Sequence, residues 1–349
     1  MNGTGVRPVQ APNQNSTSNK GAQNAERVTV FAENLEVPWG MVFLPDGRML
    51  VTERPGRVRM VSKNGVVETN PTATVNIKET GEGGLHGIAL DPEFNSNNYV
   101  YLYYTFDSSG NESLNRVARY ELKNDTLINP KTIVNNIPGA VFHDGGRIAF
   151  GPDGHLYITT GDAQQPSLAQ NKNSLAGKIL RVDNNGKAAP SNPFNNLVYS
   201  YGHRNPQGIT WDSNGQLFET EHGNSAHDEL NKIEAGKNYG WPNIEGKESN
   251  AGMVTPIAES ETDTWAPGGI AYLNGYFYFA GLRGNGLYKA TVNGNTAEIT
   301  KFFDGEFGRM RNVIVGPDNM LYVATSNRDG RGDPKDRDDK IIRVNPSKL

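Results

Sequence analysis

Cysteine is absent from all 349 residues, which excludes disulfides, thiolate nucleophiles and cysteine-ligated zinc or iron–sulfur centres at the outset. Long apolar runs are lacking too, and none approaches the roughly 18 residues of a membrane-spanning helix. Charge of one sign is scarce: the net charge is −4 and lysine and arginine form no long stripe, so no nucleic-acid partner is expected. Residues 1–26 hold almost nothing to bury. Their Asn, Gln, Gly, Ser and Pro content reads as a disordered leader or spacer of the kind that follows an export signal or lipid anchor, although no signal peptide is itself present. The expected plan is therefore a spacer over 1–26, one folded unit over 27–349, and an extracytoplasmic (periplasmic or secreted) location.

What the sequence has instead is turns. Forty glycines and twenty prolines favour a turn-rich β protein over a helical one. One phrase recurs, a tight turn around Asp-Gly or its equivalent followed by an alternating apolar strand. It reads LPDGRMLVTER from Leu44, DPEFNSNNYVYLYYTF from Asp91, GPDGHLYITTGD from Gly151, DSNGQLFETEHG from Asp212, YLNGYFYFAGL from Tyr272 and GPDNMLYVATSN from Gly316. The copies recur every 45 to 60 residues or so, roughly the period of propeller blades. A second phrase follows most copies: GRVRMVS from Gly56, NRVARYEL from Asn115, GKILRVD from Gly177, GLYKATV from Gly286 and KIIRVNP from Lys340. The prediction is an all-β, six-bladed β-propeller of four-stranded antiparallel blades. A strand over 28–32 would pair with one over 341–344 and close the ring, leaving no open edge.

Strands of a propeller blade run antiparallel, so residues before each inner strand and after the next strand gather at one mouth. Those residues are Glu82; His143 and Arg147; Asp162; Arg204, Asn205 and Gln207; Glu221 and His222; Arg283; Arg309 and Arg311. Arginines converging there need anionic partners, and few carboxylates stand nearby to match them. A small ligand with several carboxylates would supply the balance. Taken singly, each residue has a plainer reading. His143 could be a loop histidine, Asp162 a turn residue, and Arg204 the partner of a neighbouring carboxylate. Glu229 and Glu234 could be solvated. His222 and His227 lie five apart, without the helical spacing of a zinc pair. The charged run over 326–339 reads as a solvated insertion.

The combination resembles a known family. YSYGHRNPQGITWDSNGQLFETEHG, then DELNKIEAGKNYGWPN, is similar to the soluble quinoprotein glucose/sorbosone dehydrogenases, and especially to their aldose sugar dehydrogenase branch. VPWGMVFLPDGRMLVTER, GGLHGIALDPEF and FHDGGRIAFGPDGHLYITTGD resemble that family's first three blades, and GRMRNVIVGPDNMLYVATSNRDG its last. The likeness spans about residues 28–345. It implies a six-bladed propeller that binds pyrroloquinoline quinone (PQQ) with Ca²⁺, oxidises an aldose at C1 to the lactone, and passes electrons to an external acceptor. A monomer or homodimer is expected.

By position, the resemblance makes His143 the general base at the anomeric hydroxyl, with hydride passing to C5 of the quinone. A neutral imidazole near pH 7 suits that task. Asp162 would orient the imidazole, and Arg204 would stabilise charge developing on the C5 oxygen. The cofactor-facing set is Glu82, Arg204, Asn205, Gln207, His222, Arg283, Arg309 and Arg311. The catalytic calcium would rest on the carbonyls of Gly223 and Asn224, and a second calcium on Glu229 and the carbonyl of Tyr239. Aromatic residues over 265–272 would wall the sugar site. The chain departs from the glucose-oxidising members at Glu82 and His222, where glutamine occurs, and at Asn224, where proline is common. Ser326 and Asn327 stand where a cofactor-contacting aspartate would be.

Two other classes share this fold: a calcium-dependent propeller lactonase or esterase, and a non-catalytic binding propeller. The first wants carboxylates and asparagines around a central metal, whereas this mouth is rich in arginine. The second has no use for His143.

Overall fold

The computed structural model describes residues 26–108, 110 and 112–349. The expected leader lies outside the described residues apart from Glu26. Six four-stranded antiparallel sheets make up the chain, as the repeated phrase predicts. Their innermost strands are Pro38–Phe43, Leu85–Leu90, Ile148–Phe150, Pro206–Trp211, Pro267–Leu273 and Met310–Val315. The second strands are Met49–Glu53, Tyr99–Asp107, Leu156–Thr160, Leu217–Glu221, Tyr276–Gly281 and Leu321–Thr325. Five of these second strands come straight out of the repeated turn phrase, and the sixth, Tyr276–Gly281, begins within it. The first strand of the chain, Val28–Ala32, forms the outer edge of the last blade, where Val28 pairs with Val344 and Ala32 with Ile341. Helix is confined, among the described residues, to the turn Phe94–Asn97 and the 3-10 segments Pro166–Gln170 and Pro346–Lys348. Among the described residues no helix is long and apolar enough to cross a membrane.

Alternation along each strand explains why the blades pack as a ring. In the first blade Leu50, Val58 and Met60 turn towards the second, while Met49, Val51 and Val61 turn towards the last. Each of the six core clusters lies between two neighbouring blades. Second strands are consequently buried on both faces and read as near-continuous apolar runs. Burial of each such Leu, Val or Ile contributes roughly 1.5–3 kcal/mol.

The inner strands crowd the axis. Five of the six carry a register irregularity near their first residues, at Pro38/Gly40, Leu85/Ile88, Pro206/Gly208, Pro267/Ile270 and Met310/Asn312. Bulges re-aim side chains, and the residues at these positions include Trp39, His86, Gln207 and Arg311. Glycine permits the close approach: a Cβ on Gly268 would lie 2.0 Å from the Arg311 carbonyl oxygen.

The 326–339 segment refines an expectation. Arg328, Gly330, Arg331 and residues 333–337 are exposed, as in a solvated insertion, but Ser326, Asn327, Asp329, Asp338 and Asp339 are buried. Asp339 accepts hydrogen bonds from the backbone N–H groups of Val37 at 3.1 Å and Asn327 at 2.6 Å, joining the last blade to the first.

Candidate active site at the propeller mouth

His143 precedes the inner strand Ile148–Phe150 and Asp162 follows its neighbour Leu156–Thr160. The pairing of Ile148 with Ile158 brings both to one end of the blade. The same rule delivers Glu82, Arg204, Asn205, His222 and Arg283 to that end. Together with Gly223 and Asn224 these residues line a cleft of about 120 Å³. An adjoining gap shares Glu82 and is walled by Trp39, His86, Asp144, Gln207, Arg311, Asp329 and Arg331. A larger cavity, about 710 Å³, lies elsewhere, chiefly along the second blade around Tyr104, Phe106 and Arg116. Convergence of charged groups, and not size, marks the mouth as the site.

His143 is held at three points. Its backbone takes φ 66°, a left-handed value that is costly for a residue with a side chain. The backbone N–H donates to Glu82 Oε2 at 3.3 Å. On the ring, Nδ1 lies 2.8 Å from Asp162 Oδ1. Asp162 is fully buried and also accepts from the Gln164 N–H at 2.8 Å and from Trp241 Nε1 at 2.8 Å. Three N–H donors around one carboxylate leave it only an accepting role, so the hydrogen sits on Nδ1 and the lone pair on Nε2. No partner for Nε2 appears among the described residues. Close approach is again built on glycine, since a Cβ on Gly161 would lie 1.8 Å from the His143 carbonyl oxygen.

The arginines divide into satisfied and unsatisfied. Arg309 is paired: Asp329 Oδ2 accepts from its Nε at 3.0 Å and its Nη2 at 2.8 Å. This corrects the expectation that carboxylates are scarce at the mouth, and the second carboxylate, Glu82, is bonded to Arg331 Nη1 at 2.8 Å. Burial works to raise the Glu82 carboxyl, but the Arg331 hydrogen bond, the positive charges nearby and the His143 N–H together outweigh it and hold the group at about 2. Arg311 donates to Gln207 Oε1, and Arg147 Nε donates to the Gln207 carbonyl at 2.9 Å. Both lie over the Trp39 ring, at 5.7 and 4.2 Å. Burial, then the charge of Arg311, lowers Arg147 to about 9; burial lowers Arg311 to about 10 despite Asp329 nearby. Arg204 donates Nη1 to the His222 carbonyl at 3.2 Å and lies 5.2 Å from the Trp241 ring. Arg147 Nη2, Arg204 Nε and Arg311 Nε are buried with no hydrogen-bond partner among the described residues. Such orphaned cationic donors are what an anionic ligand satisfies. Arg283 is exposed at the rim of the cleft.

Two imidazoles, His86 buried and His222 half-buried, complete the mouth. His86 stacks between Trp39 at 4.9 Å and Tyr103 at 5.9 Å, and burial lowers it to about 3. His222 lies 3.0 Å from the Pro267 carbonyl and is lowered to about 4 by burial. Both are neutral at pH 7. His227 instead meets Glu259 at 2.9 Å, so the two histidines of the 222–227 stretch have separate partners. Asn205 Oδ1 accepts from the Gly145 N–H at 3.1 Å, fixing the loop behind His143.

Gly223 and Asn224 line the cleft, and their loop is fixed by Asp228. That buried carboxylate accepts from the N–H groups of Gly223 at 2.9 Å, Trp265 at 2.7 Å and Ala266 at 2.8 Å. Glu229 and Tyr239 line a further small cavity together with Glu221. There the Asn231 amide donates to Glu219, Glu221 and Glu229 at 3.2, 3.2 and 3.0 Å. His203, Glu219 and Glu221 bring ligand atoms within 4.8 Å of one another. Burial, then the charge of Glu221, pushes both Glu219 and Glu229 well above the usual carboxylate range. A cation would relieve this cluster. Glu219 was legible, since it alternates with Glu221 on one face of a strand.

The aromatic wall over 265–272 is another correction. Trp265 packs into the core against Phe279 at 5.3 Å and Tyr288 at 5.8 Å, and Tyr272 packs on Phe277 at 4.9 Å. The indoles at the mouth belong to Trp39 and Trp241.

Comparison with known proteins agrees with this geometry. A Synechocystis protein, slr1608, is 34% identical, covering 86% of this chain and 84% of the relative. The aldose sugar dehydrogenase YliI of Escherichia coli is 29% identical over 91% of this chain and 92% of its own. Among solved structures, the PQQ-bound aldose sugar dehydrogenase of Streptomyces coelicolor superposes with a TM-score of 0.86 at 42% identity, covering 90% of this chain and 97% of that one. The model of the glucose/sorbosone dehydrogenase family matches residues 35–342, and the chain belongs to that family.

Proposed function

We propose that the protein oxidises aldoses at C1 to the lactone, using PQQ and Ca²⁺, with His143 as the general base. The observation that carries this reading is the pairing of His143 Nδ1 with Asp162, which leaves the basic Nε2 free at a cleft lined by Arg204, whose Nε is unsatisfied, with the orphaned Nε of Arg311 in the adjoining gap. When bound, the quinone supplies the two-electron acceptor and calcium a Lewis acid for it. Arg204 and Arg311 fit its anionic groups through their orphaned N–H donors, Asn205, Gln207 and Arg283 line the cleft or the gap beside it, and Arg309 acts through Asp329, which walls that gap. The carbonyls of Gly223 and Asn224 are hard oxygen donors suited to the calcium beside it. Glu229 and the Tyr239 carbonyl suit a second, structural ion.

The reaction removes a hydride from C1 and a proton from its hydroxyl. Nε2 of His143 takes the proton, and Asp162 stabilises the imidazolium that results. Arg204, partly buried beside Trp241, is placed to stabilise negative charge that develops in the transition state. His222, neutral at pH 7, adds no charge that would compete with these roles. An external acceptor then removes the two electrons. An extracytoplasmic location belongs to this reading and rests on the composition of the leader.

A lactonase would need several carboxylates around one central ion, whereas the cleft's carboxylates are committed elsewhere, Glu82 to Arg331 and Asp228 to backbone N–H groups. The discriminating experiment titrates calcium-loaded apoprotein with PQQ and assays aldose oxidation with a dye acceptor. Absence of quinone binding sinks the proposal. His143→Gln should leave quinone affinity nearly unchanged and slow the reductive step about 10²-fold or more.

A further inference from the structure

The segment after the last blade's second strand reaches across the mouth, and its outermost charged side chain has no role in the reading above. Arg331 belongs to the last blade, yet its Nη1 donates to Glu82 Oε1 at 2.8 Å, a residue of the loop leading into the second blade. Its guanidinium also lies 5.3 Å from the ring centroid of Phe142, which precedes the third. The Arg331 backbone N–H donates to Asp329 Oδ1 at 2.9 Å, and Asp329 is itself anchored by Arg309. This chain of contacts fixes the stem of Arg331, while 49% of the side chain remains accessible.

We propose that Arg331, together with Glu82, forms the hydroxyl-recognising pair that orients a neutral aldose at His143. This inference rests on the dehydrogenase reading and deepens it. Vicinal hydroxyls donate to a carboxylate and accept from a guanidinium, so a fixed Glu–Arg pair presents both complements side by side. Arg331 commits a single side-chain N–H to protein, and the rest of its fork has no partner among the described residues. Glu82 touches the site directly, because its Oε2 accepts the His143 backbone N–H. Phe142 is partly exposed beside the pair and offers an apolar face to the C–H side of a sugar ring.

The charge balance separates this pair from the groups that suit the cofactor. Arg147, Arg204 and Arg311 have buried donors without acceptors, whereas the charge of Arg331 is already matched by Glu82. A carboxylate-bearing ligand therefore gains more at the former, and a neutral polyol is the better guest of the latter.

The test uses holoenzyme reconstituted with PQQ and Ca²⁺, with D-glucose as the probe. Arg331→Ala should raise KM about tenfold, the equivalent of one charged hydrogen bond. It should leave kcat within about threefold and quinone affinity, read by tryptophan quenching, unchanged. Arg331→Lys should recover part of the loss, since one donor is restored without the fork. Adding Glu82→Gln to Arg331→Ala should cost much less than the two single effects combined, because the two residues act as one unit. Unchanged KM in both Arg331 variants overturns the inference, and so does a fall in quinone affinity, which would assign Arg331 to the cofactor. Should the alanine variant not fold, the lysine variant carries the same reading. Wild-type protein that binds quinone and oxidises glucose keeps the functional reading intact whatever Arg331 does; wild type that does neither removes both.

Discussion

Nδ1 of His143 and Oδ1 of Asp162 lie 2.8 Å apart, and the carboxylate is fully buried while the imidazole reaches the cleft. The pair fixes one tautomer. Asp162→Asn can present an N–H to Nδ1 and so turn the basic lone pair away from the cleft. The variant should bind quinone as the wild type does and lose activity by about 10²-fold or more, as carboxylate-to-amide changes behind a catalytic histidine do. Stopped-flow reduction by sugar checks it, and activity within a factor of two of wild type would dismiss the orienting role.

Trp241 holds the other oxygen of Asp162, Nε1 to Oδ2 at 2.8 Å. Trp241→Phe keeps the ring near Arg204 and removes that donor. The expected result is about a tenfold lower kcat with KM little changed, the effect of a loosened but still present Asp162. In an Asp162→Asn background the same substitution should add little.

Asp144 gives a pH signature in stability. Burial raises its carboxyl to about 6 from an ordinary 3.8, although Asn115 and the Ala140 N–H donate to it. The folded protein therefore holds this proton more tightly than the unfolded chain. Stability conferred by the neutral form is present below about pH 4 and is lost as pH rises towards 6. Asp144→Asn removes the titration, so its stability relative to wild type should grow between pH 4 and pH 7 by up to about 3 kcal/mol. Denaturant midpoints at the two pH values measure the difference, and parallel behaviour of the two proteins contradicts it.

The proposed second calcium site, at buried Glu219 and Glu221 and half-buried Glu229, predicts that the protein's stability responds to calcium. At a hundredfold excess over Kd, a bound ion stabilises by roughly 2.7 kcal/mol, about 4 °C in Tm for a chain of this size. Glu229→Gln should abolish most of that rise. Because Glu219 and Glu229 hold protons well above the usual carboxylate range, calcium affinity should increase with pH as those protons leave. Differential scanning calorimetry with and without chelator decides the matter.

Much of this was readable before any coordinates. The Asp-Gly phrase carries both the turn and the second strand of nearly every blade, and its repetition dictates radial packing. From that topology alone His143 and Asp162, on opposite sides of a hairpin, fall at one end. Contacts made by loops that do not repeat were not readable. Trp241 comes from the long 237–267 connection and Arg331 from the last blade, and neither position has an equivalent elsewhere in the chain. The aromatics Trp265 and Tyr272 misled for a related reason: composition does not say which way a ring faces. Tyr272 sits at the far end of its inner strand, and Trp265 turns outward into the blade interface. The charged 326–339 segment looked solvated throughout because sequence does not reveal that Asp339 caps backbone N–H groups of another blade.

The strand Val28–Ala32 completes the blade that carries Arg309, Asp329 and Arg331. Neighbours across that sheet, Val28 and Val344, stand at nearly opposite ends of the described chain. During synthesis the first strand must wait, unpaired, until Ile341–Val344 emerges. The arginine clasp of the last blade is therefore the last part of the mouth to be assembled. Ligand capture then reports that the ring has shut, so a product truncated before Ile341 should be unable to sequester the cofactor.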